Sequence, residues 1–352
     1  MTREPARFDL ATPADDAALR ALLRAMPVPG TVTLAATREP AFFAADAALG
    51  ERVETLVARE RPGAEPVAVV QRAVRTVYVG GTPARVAYIG GLRVRPGHRT
   101  AALVGRGWSA LRDLDRADPV AVTTISVTDA NDRVRRLVSA RRGAAPRLDA
   151  VAALVTLALV VRPRGRPARP GLAVVPDDGR AAALRAEAGP GRDLFPVRLA
   201  LPGVSETLVA LRDGTAVGAV TVWDPSAVRQ QVVHAYRPGL ARARPLLNAL
   251  ARVGNVRPLP PPGEALAVAF AAGLVARDAA ALDALLDAAL ARAHRLGMGF
   301  LLVGFDRTDP LLARARRRLH LAYPSTLFAA CDDLSPALRP GGPPVHAEVA
   351  TY

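Results

Sequence analysis

The residues most able to do chemistry form one run over residues 88–108. The run reads Tyr-Ile-Gly-Gly-Leu-Arg-Val-Arg-Pro-Gly-His-Arg-Thr-Ala-Ala-Leu-Val-Gly-Arg-Gly-Trp. Its apolar beginning predicts a strand, the Pro-Gly pair a turn, and the small residues that follow the start of a long helix. The first amides of a helix and the positive end of its dipole attract phosphate groups. The run therefore predicts a binding site for a phosphate or a pyrophosphate.

The predicted phosphate donors are the backbone amides at the start of this helix. They belong to Arg99, Thr100, Ala101, Ala102, Leu103 and Val104. The guanidinium groups of Arg99 and Arg106 add positive charge within reach of the phosphates. His98 lies in the same loop, either as a contact to the ligand or as a turn residue after Pro96-Gly97.

Two consecutive glycines, Gly90 and Gly91, interrupt the strand that leads to this loop. Glycine weakens a strand interior and is typical of a bulge or of a close backbone approach. The alternative is that a tightly packed helix requires small residues at this place. We favour the bulge.

Part of this run resembles the acetyl-CoA-binding motif of the GCN5-related N-acetyltransferases. In that superfamily a strand carrying Leu-x-Val is followed by Pro, two variable residues, and then Arg or Gln before a glycine-rich turn. The residues that match are Leu92, Val94, Pro96 and Arg99. Ala102 and Val104 stand where the family has glycine or another small residue. Asn131 resembles the start of the second family motif, which ends near a pair such as Arg142-Gly143.

The resemblance implies a binding site for acetyl-CoA or another acyl-CoA. The residues implied to bind it are Leu92, Arg93, Val94, His98, Arg99, Thr100, Ala101, Ala102, Leu103, Val104 and Asn131. It also implies that the bulge at Gly90-Gly91 separates this strand from its neighbour, and that the pantetheine arm enters the gap.

Acyl transfer to an amine needs a base for the ammonium proton and an acid for the leaving thiolate. Glu39 lies in the segment that forms the acceptor pocket in the family, and Ser126 lies at the end of the strand that faces the gap. We predict Glu39 as the base and Ser126 as the residue that holds a water. The alternatives are that Glu39 caps a helix near Pro40 and that Ser126 satisfies a backbone group. Val138 stands where many family members have a tyrosine that acts as the general acid.

The elements that must position these residues alternate in type along the first half. The pattern predicts a strand at 8–11, helices at 14–25 and 39–50, strands at 54–59, 67–79 and 85–94, a helix at 102–117, a strand at 120–127, a helix at 130–140 and a strand at 151–161. This order also matches the fold of the family.

The second half repeats this pattern. It predicts a strand at 172–175, a helix at 180–188, strands at 207–212, 216–223, 230–235 and 265–275, a helix at 279–295, a strand at 299–305, a helix at 310–319 and a last strand at 345–352. Residues 238–263 are an insertion. Asp278 places a carboxylate where a phosphate would bind, so this half is predicted to be a degenerate copy.

The fold class predicted is therefore a mixed α/β protein of two tandem acyl-CoA N-acyltransferase-like domains. A first domain over residues 1–162 binds the coenzyme, a Pro- and Arg-rich linker covers 163–171, and the degenerate domain covers 172–352.

Composition narrows the function classes. The net charge is +15, and all 47 basic residues are arginine. This bias is typical of a GC-rich bacterial genome, and the arginines are dispersed, so a nucleic-acid partner is not favoured. The histidines lack the spacing of metal ligands. The single cysteine, the absence of a signal peptide and the lack of a long apolar window predict a cytoplasmic protein with no membrane partner.

The function predicted is an acyl-CoA-dependent N-acyltransferase. It would transfer an acetyl group directly to an amine of a small molecule or a peptide, in a ternary complex, as a monomer or a homodimer. The alternative from a different class is a catalytically inactive protein of the same fold that senses a ligand or binds a partner. The hypothesis that the protein binds nucleic acid rests on its net charge alone.

Overall fold

The computed structural model describes residues 7–139, 146–163, 171–330, 338, 343–346 and 348–351. Its main feature is a mixed sheet of twelve strands. The first half contains β1 (Arg7–Leu10), α1 (Asp16–Ala25), β2 (Val32–Thr37), α2 (Asp46–Leu49), β3 (Arg52–Arg59), β4 (Ala68–Val79), β5 (Thr82–Val94), α3 (Ala101–Ala117), β6 (Val122–Thr128), α4 (Asp132–Ser139) and β7 (Leu148–Val160).

The second half repeats much of this order and adds one helix. It contains β8 (Leu172–Pro176), α5 (Arg180–Ala188), β9 (Val204–Arg212), β10 (Thr215–Asp224), β11 (Gln230–Tyr236), α6 (Pro238–Val253), β12 (Ala265–Leu266), β13 (Val268–Ala276), α7 (Ala279–Arg295), β14 (Phe300–Asp306), α8 (Leu312–Ala315) and β15 (His320–Ala330). The large sheet has the order β1-β3-β4-β5-β6-β15-β7-β14-β13-β10-β9-β8.

The two halves exchange one strand each at the centre of this sheet. The last strand of the first half, β7, pairs with β14, and the last strand of the second half, β15, pairs with β6. β7 and β15 also pair with each other from Leu159↔His320 to Leu148↔Ala330. Every ladder bond of this centre therefore joins distant parts of the chain. The mixed α/β sheet predicted from the sequence is confirmed.

Helix α7 covers one face of the second half because its apolar residues recur at helical spacing. Its buried apolar side chains are Ala281, Leu282, Leu285, Leu286, Ala289 and Ala293. Asp278 begins the helix, and its carboxylate accepts hydrogen bonds from the amides of Ala280 and Ala281, both at 2.9 Å. Such a cap satisfies donors that a helix start otherwise leaves open.

A second sheet of three strands has the order β12-β11-β2. β2 of the first half pairs with β11 along Val32↔Tyr236 to Thr37↔Gln230. The sequence pattern did not predict β2, because the segment between α1 and Glu39 lacks a clear alternation. This pairing brings residues of the second half against the first.

Three sequence predictions need correction. Residues 39–50 form a short 3-10 turn (Phe42–Ala45) and α2 rather than one helix. The helix predicted at 310–319 is only α8, and the strand β15 follows it. In place of the strand predicted at 345–352, the described residues contain a 3-10 turn at Val349–Thr351. A last strand of the second half would pair with β14, but β7 already pairs with β14, and β15 pairs with β7.

Several predicted features lie outside the described residues, namely Arg142-Gly143, Cys331 and most of the linker, residues 164–170. Within the described part of the chain, no helix combines the length and the apolar character needed to cross a membrane.

Candidate functional site

The strands β5 and β6 separate at their carboxyl ends. They pair in parallel only from Val86↔Val122 to Tyr88↔Thr124. β5 then continues to Val94, whereas β6 continues to Thr128 and takes its remaining partners from β15. Ligands of α/β sheets bind in crevices outside the carboxyl ends of parallel strands. The gap between β5 and β6 is such a crevice.

A bulge on β5 accompanies this separation. The register against β4 passes from Gln71↔Gly90 to Val69↔Arg93, so Gly91 and Leu92 together lie opposite Val70. Gly91 has a φ of 65°, a left-handed conformation that favours glycine. The bulge that the glycine pair predicted is therefore present in β5.

Close packing explains why both positions of the pair are glycine. A Cβ atom on Gly90 would lie 2.6 Å from Cε1 of Tyr88, and one on Gly91 would lie 3.2 Å from Oε1 of Gln71. Both contacts are shorter than ordinary van der Waals separation. Only glycine fits both positions without moving these side chains.

The predicted phosphate loop leads from the end of β5 into α3. Thr100 begins the helix: its hydroxyl accepts a hydrogen bond from the amide of Leu103 at 3.1 Å, and its carbonyl accepts one from the amide of Val104 at 3.2 Å. The Thr100 amide itself donates to the carbonyl of His98 at 2.9 Å. Three of the six amides predicted as phosphate donors thus have partners within the loop.

The other three amides of the loop belong to Arg99, Ala101 and Ala102. They have no hydrogen-bond acceptor among the described residues, and all three residues are exposed. The first amides of a helix lack acceptors inside the helix. These three donors can therefore bind an anion without breaking an existing bond.

The side chains of the loop make mostly local contacts. His98 Nε2 lies 2.9 Å from Oε1 of Glu60, and Arg99 Nε donates to the carbonyl of Val94 at 3.0 Å. Leu103 is buried against Ala58 and Val67, with Val94 packed beside them. Leu92 is exposed at the bulge.

The C-terminal end of α3 is fixed to the sheet by a buried cation. Arg72 on β4 donates to Glu54 at 2.7 Å, to Asp115 on α3 at 2.7 Å, and to the carbonyl of Asp118 at 2.7 Å. These bonds fix the C-terminal end of α3 against β3 and β4.

Two further predicted residues lie on the far side of the crevice. Ser126 is half-buried on β6, where it pairs in register with Leu327 of β15. Asn131 begins α4, and its Oδ1 accepts a hydrogen bond from the amide of Val134 at 3.2 Å.

Glu39 lies outside the crevice, between α1 and β11. Its carboxylate forms ion pairs with Arg20 at 2.5 Å and with Arg24. The side chain of Gln230 bonds both backbone groups of Glu39, accepting from the amide at 3.0 Å and donating to the carbonyl at 2.9 Å. The predicted base is thus held by two cations.

A cavity of about 190 Å³ lies beside the bulge of β5. It is lined by Leu23, Ala36, Thr37, Arg38, Phe42, Leu49, Gln71, Ala73, Tyr88, Gly90, Gly91, Arg93, Arg229 and Gln231. The last two belong to the second half, and the pairing of β2 with β11 brings them here. Tyr88, Gly90, Gly91 and Arg93 belong to the run of residues 88–108, whereas the sequence pattern did not indicate the other lining residues.

Three guanidinium groups line this cavity. Burial lowers the pKa of Arg38 to about 10, although Asp46, 3.1 Å away, acts in the opposite direction. Burial, and then the nearby Arg38, lower the pKa of Arg229 to about 10. Burial also lowers the pKa of Arg93. A pKa near 10 leaves Arg38 and Arg229 charged at neutral pH.

Gln71 is the residue by which the sequence could have indicated this cavity. Gln71 follows the apolar residues Val67 to Val70 in a strand that is otherwise buried. Its Nε2 donates to the Thr55 hydroxyl at 2.9 Å, and its Oε1 accepts a bond from Arg38. A buried polar side chain in an apolar strand indicates a polar network.

The second half has an equivalent crevice, which protein groups occupy. β13 and β14 pair in parallel only from Val268↔Phe300 to Phe270↔Leu302, and a bulge at Gly273 accompanies their separation. The amide of Gly273 donates to Glu348 at 2.6 Å, and its carbonyl accepts from Arg185 at 3.0 Å. At the start of α7, Asp278 takes the place of an anion.

No group of His, Cys, Asp and Glu among the described residues has the arrangement of a metal site.

Solved acyltransferases share this fold. The N-myristoyltransferase of Saccharomyces cerevisiae with bound myristoyl-CoA superposes with a TM-score of 0.60 at 10% identity, over 97% of this chain and 85% of that one. A second structure of that enzyme with myristoyl-CoA gives a TM-score of 0.57 at 11% identity, over 94% and 80%. A protein of unknown function from Enterococcus faecalis V583, described as a probable N-acyltransferase, gives a TM-score of 0.50 at 11% identity. The superposition covers 93% of this chain and 72% of that one.

These similarities confirm the predicted acyltransferase-like fold. At identities of 10 to 11% they are similarities of fold. No protein-family model matches the chain, and no curated protein matches its sequence.

Proposed function

We propose that this protein is an acyl-CoA-dependent N-acyltransferase that transfers its acyl group directly to an amine. The observation that carries the proposal is the crevice between β5 and β6. A glycine bulge lies on β5, one of its two strands, and three amides at the start of α3, the helix that follows β5, have no acceptor among the described residues. A long thioester with an anionic end matches a crevice of this form. The fold shared with acyltransferases supports the proposal.

The residues present suit an acyl-CoA in a defined orientation. The amides of Arg99, Ala101 and Ala102 would bind its pyrophosphate, and the guanidinium groups of Arg99 and Arg106 would add charge. Its pantetheine arm would lie between β5 and β6, with the thioester beside the bulge. Acetyl is the simplest acyl group that satisfies this arrangement.

The second half provides an internal model for the bulge. There the amide of Gly273 binds a carboxylate oxygen of Glu348 at 2.6 Å. Gly91 occupies the same place in the register of its own half, opposite one residue of β4 together with Leu92. We assign to the Gly91 amide a hydrogen bond to the thioester carbonyl oxygen. Such a bond strengthens as negative charge develops on that oxygen.

The catalytic residues predicted from the sequence remain proposals. Ser126 lies on the strand that borders the crevice, where its hydroxyl can hold a water. Both carboxylate oxygens of Glu39 already accept bonds from guanidinium groups, one from Arg20 and the other from Arg24. We therefore add a positioning role for Glu39, in which it joins α1 to β2 and β11.

The second half is proposed to be a copy that does not bind coenzyme. Its crevice holds Glu348 and Arg185, and Asp278 occupies the anion site of α7. A coenzyme phosphate at that place would meet a carboxylate.

The experiment that tests the proposal removes one amide without altering a side chain that binds. Ala101 is the first residue of α3, a position that accepts proline because its amide has no acceptor in the helix. Thr100 before it is extended, as the residue before a proline requires. We expect Ala101→Pro to weaken acetyl-CoA binding roughly 10- to 100-fold by calorimetry, because a bond to an anion contributes about 1.5–3 kcal/mol.

The matched control is Ala279→Pro, the same change at the first position of α7, where Asp278 precedes it. It should leave the affinity unchanged. Equal affinities of both variants and the parent protein would overturn the proposed coenzyme site.

The inactive ligand-sensing protein stays the second candidate, because no carboxylate lines the cavity within the described part of the chain. Release of CoA thiol with a panel of amines separates the two. Tight binding of acetyl-CoA without turnover of any amine would favour the sensor.

A further inference from the structure

The cavity beside the bulge has a cationic wall that an amine acceptor alone does not explain. We call Arg38, Arg93 and Arg229 the arginine wall. All three line the cavity, and no acidic residue lines it among the residues that the structure describes. An amine arrives largely as an ammonium ion, which a cationic wall repels.

The wall is fixed by the surrounding protein. Arg38 bonds to Asp46 behind it at 3.1 Å, and its guanidinium carbon lies 4.5 Å from the ring centre of Phe42. The guanidinium of Arg229 lies 5.3 Å from the Trp223 ring and 4.8 Å from the Phe270 ring. Neither cation can turn away from the cavity without losing these contacts.

Arg93 has a hydrogen-bond donor that no described residue uses. Its Nη1 donates to the carbonyl of Leu92, its own neighbour, at 2.8 Å. Its Nε is buried and has no hydrogen-bond partner among the described residues. A buried N–H group without a hydrogen-bond partner is costly, and the planar guanidinium fork matches a carboxylate.

Resting on the proposed function, we infer that the acceptor is a small amine that also carries a carboxylate, such as an α-amino acid. Its carboxylate binds the arginine wall at Arg93, and its nitrogen points toward the thioester at Gly91. The anion supplies the negative charge that the cavity lining lacks. The amine is thereby placed beside the bulge instead of being repelled.

The size of the cavity agrees with a small acceptor. Its volume of about 190 Å³ is somewhat larger than the engineered cavity of about 150 Å³ that binds benzene. Apolar side chains, including Leu23, Phe42 and Leu49, form part of its lining. They suit a short apolar side chain on the acceptor.

The reaction balances without a further reactant. The amine nitrogen forms a bond to the thioester carbonyl carbon, and the bond between that carbon and sulfur breaks. The ammonium form of the acceptor loses two protons in all: one ends on the CoA sulfur, and the other passes to solvent. The cationic wall favours the neutral amine, because a nearby positive charge lowers the pKa of an ammonium group.

The test compares acceptors that differ only in the carboxylate. Glycine and glycinamide, and alanine and alaninamide, are compared by kcat/KM for thiol release from acetyl-CoA. We expect each amino acid to exceed its amide roughly 100-fold, as for a lost partner of a buried charge. Arg93→Gln should lower this ratio by about tenfold or more, and Arg93→Lys should restore part of it. Arg116→Gln, on the exposed side of α3, removes the same charge and should keep the ratio.

Calorimetry gives a second readout that does not require turnover. N-acetylglycine should bind the protein, and its amide should bind at least tenfold more weakly. Equal binding and equal rates for acid and amide would overturn the carboxylate assignment while leaving the acyltransferase intact. Failure of acetyl-CoA to bind, with preference for the acid kept, would overturn the proposed function alone. A stronger response to O-phosphoethanolamine than to glycine would replace the carboxylate with a phosphate and so overturn the assignment.

Discussion

Gly91 and Gly273 occupy the same place in the two halves of the protein. Each is the first residue of a bulge where a parallel strand pair separates, and their φ angles are 65° and 55°. The surroundings differ. Glu348 and Arg185 bond to the backbone of Gly273, whereas a cavity lined by arginines adjoins Gly91. One backbone feature therefore supports a closed core in one half and an open site in the other.

Substitution of Gly91 tests the open bulge. A non-glycine residue in the left-handed region costs about 1–2 kcal/mol, and a Cβ atom would also press on Gln71 Oε1 at 3.2 Å. We expect Gly91→Ala to lower the free energy of unfolding and to weaken acetyl-CoA binding. Gly97→Ala has a similar φ of 86° with open space around it, and reports the strain alone. A Gly91→Ala protein no less stable than Gly97→Ala in urea unfolding would contradict the crowding at Gln71.

The role of Glu39 can be separated from general base catalysis. Because Arg20 and Arg24 both pair with its carboxylate, we expect Glu39→Gln to reduce kcat modestly and to leave the shape of the pH–rate profile unchanged. Loss of the positioning contacts should appear as a lower free energy of unfolding. A fall in kcat of roughly 100-fold or more, with loss of the acidic limb of the profile, would establish Glu39 as the base.

The buried carboxylate of Glu348, which accepts a bond from the Gly273 amide, predicts a pH dependence of stability. Although burial alone would raise the pKa of Glu348, bonds from His346, Gly273 and Ala350 hold that pKa below its ordinary value of 4.5. A depressed carboxyl pKa contributes stability above pH 4.5 that is lost as the pH falls through the folded value. We expect Glu348→Gln to destabilise the protein near pH 7, and the difference from the parent protein to shrink below pH 4.5. Urea unfolding of both proteins across this pH range measures the difference in stability. A difference that stays constant with pH would refute the depressed pKa of Glu348.

The exchanged strands predict that both halves unfold together. Leu157 on β7 is fully buried and lies opposite Val303 of β14 and Ala322 of β15. Leu157→Ala should cost about 2–5 kcal/mol, the range for such a cavity. In a Trp108→Phe protein the remaining Trp223 reports the second half, while far-UV circular dichroism reports the whole chain. Both signals should move to lower urea together when Leu157→Ala is added, and separated transitions would show independent halves.

The sequence predicted the local features of the proposed coenzyme site. The Pro-Gly turn, the helix start after Thr100 and the glycine bulge follow from residues that are close together in the chain. Their conformations depend on φ restrictions, on a capping hydroxyl and on the lack of a Cβ atom. Most helices and strands were likewise predicted from periodicity, with the exceptions of β2, α6 and β15.

Only the tertiary structure decided what surrounds the acceptor end of the site. Arg229 reaches the cavity because β11 pairs with β2, some 190 residues away: the side chains of Gln230 and Thr37 bond across a separation of 193 residues. The centre of the sheet depends in the same way on the exchange of β7 and β15. No local pattern encodes such pairings, because alternating apolar residues specify a strand but not its neighbour. The sequence by itself thus determined the helix start and the glycine bulge of the proposed coenzyme site, and the packing of distant strands determined that three arginines line the cavity beside the bulge.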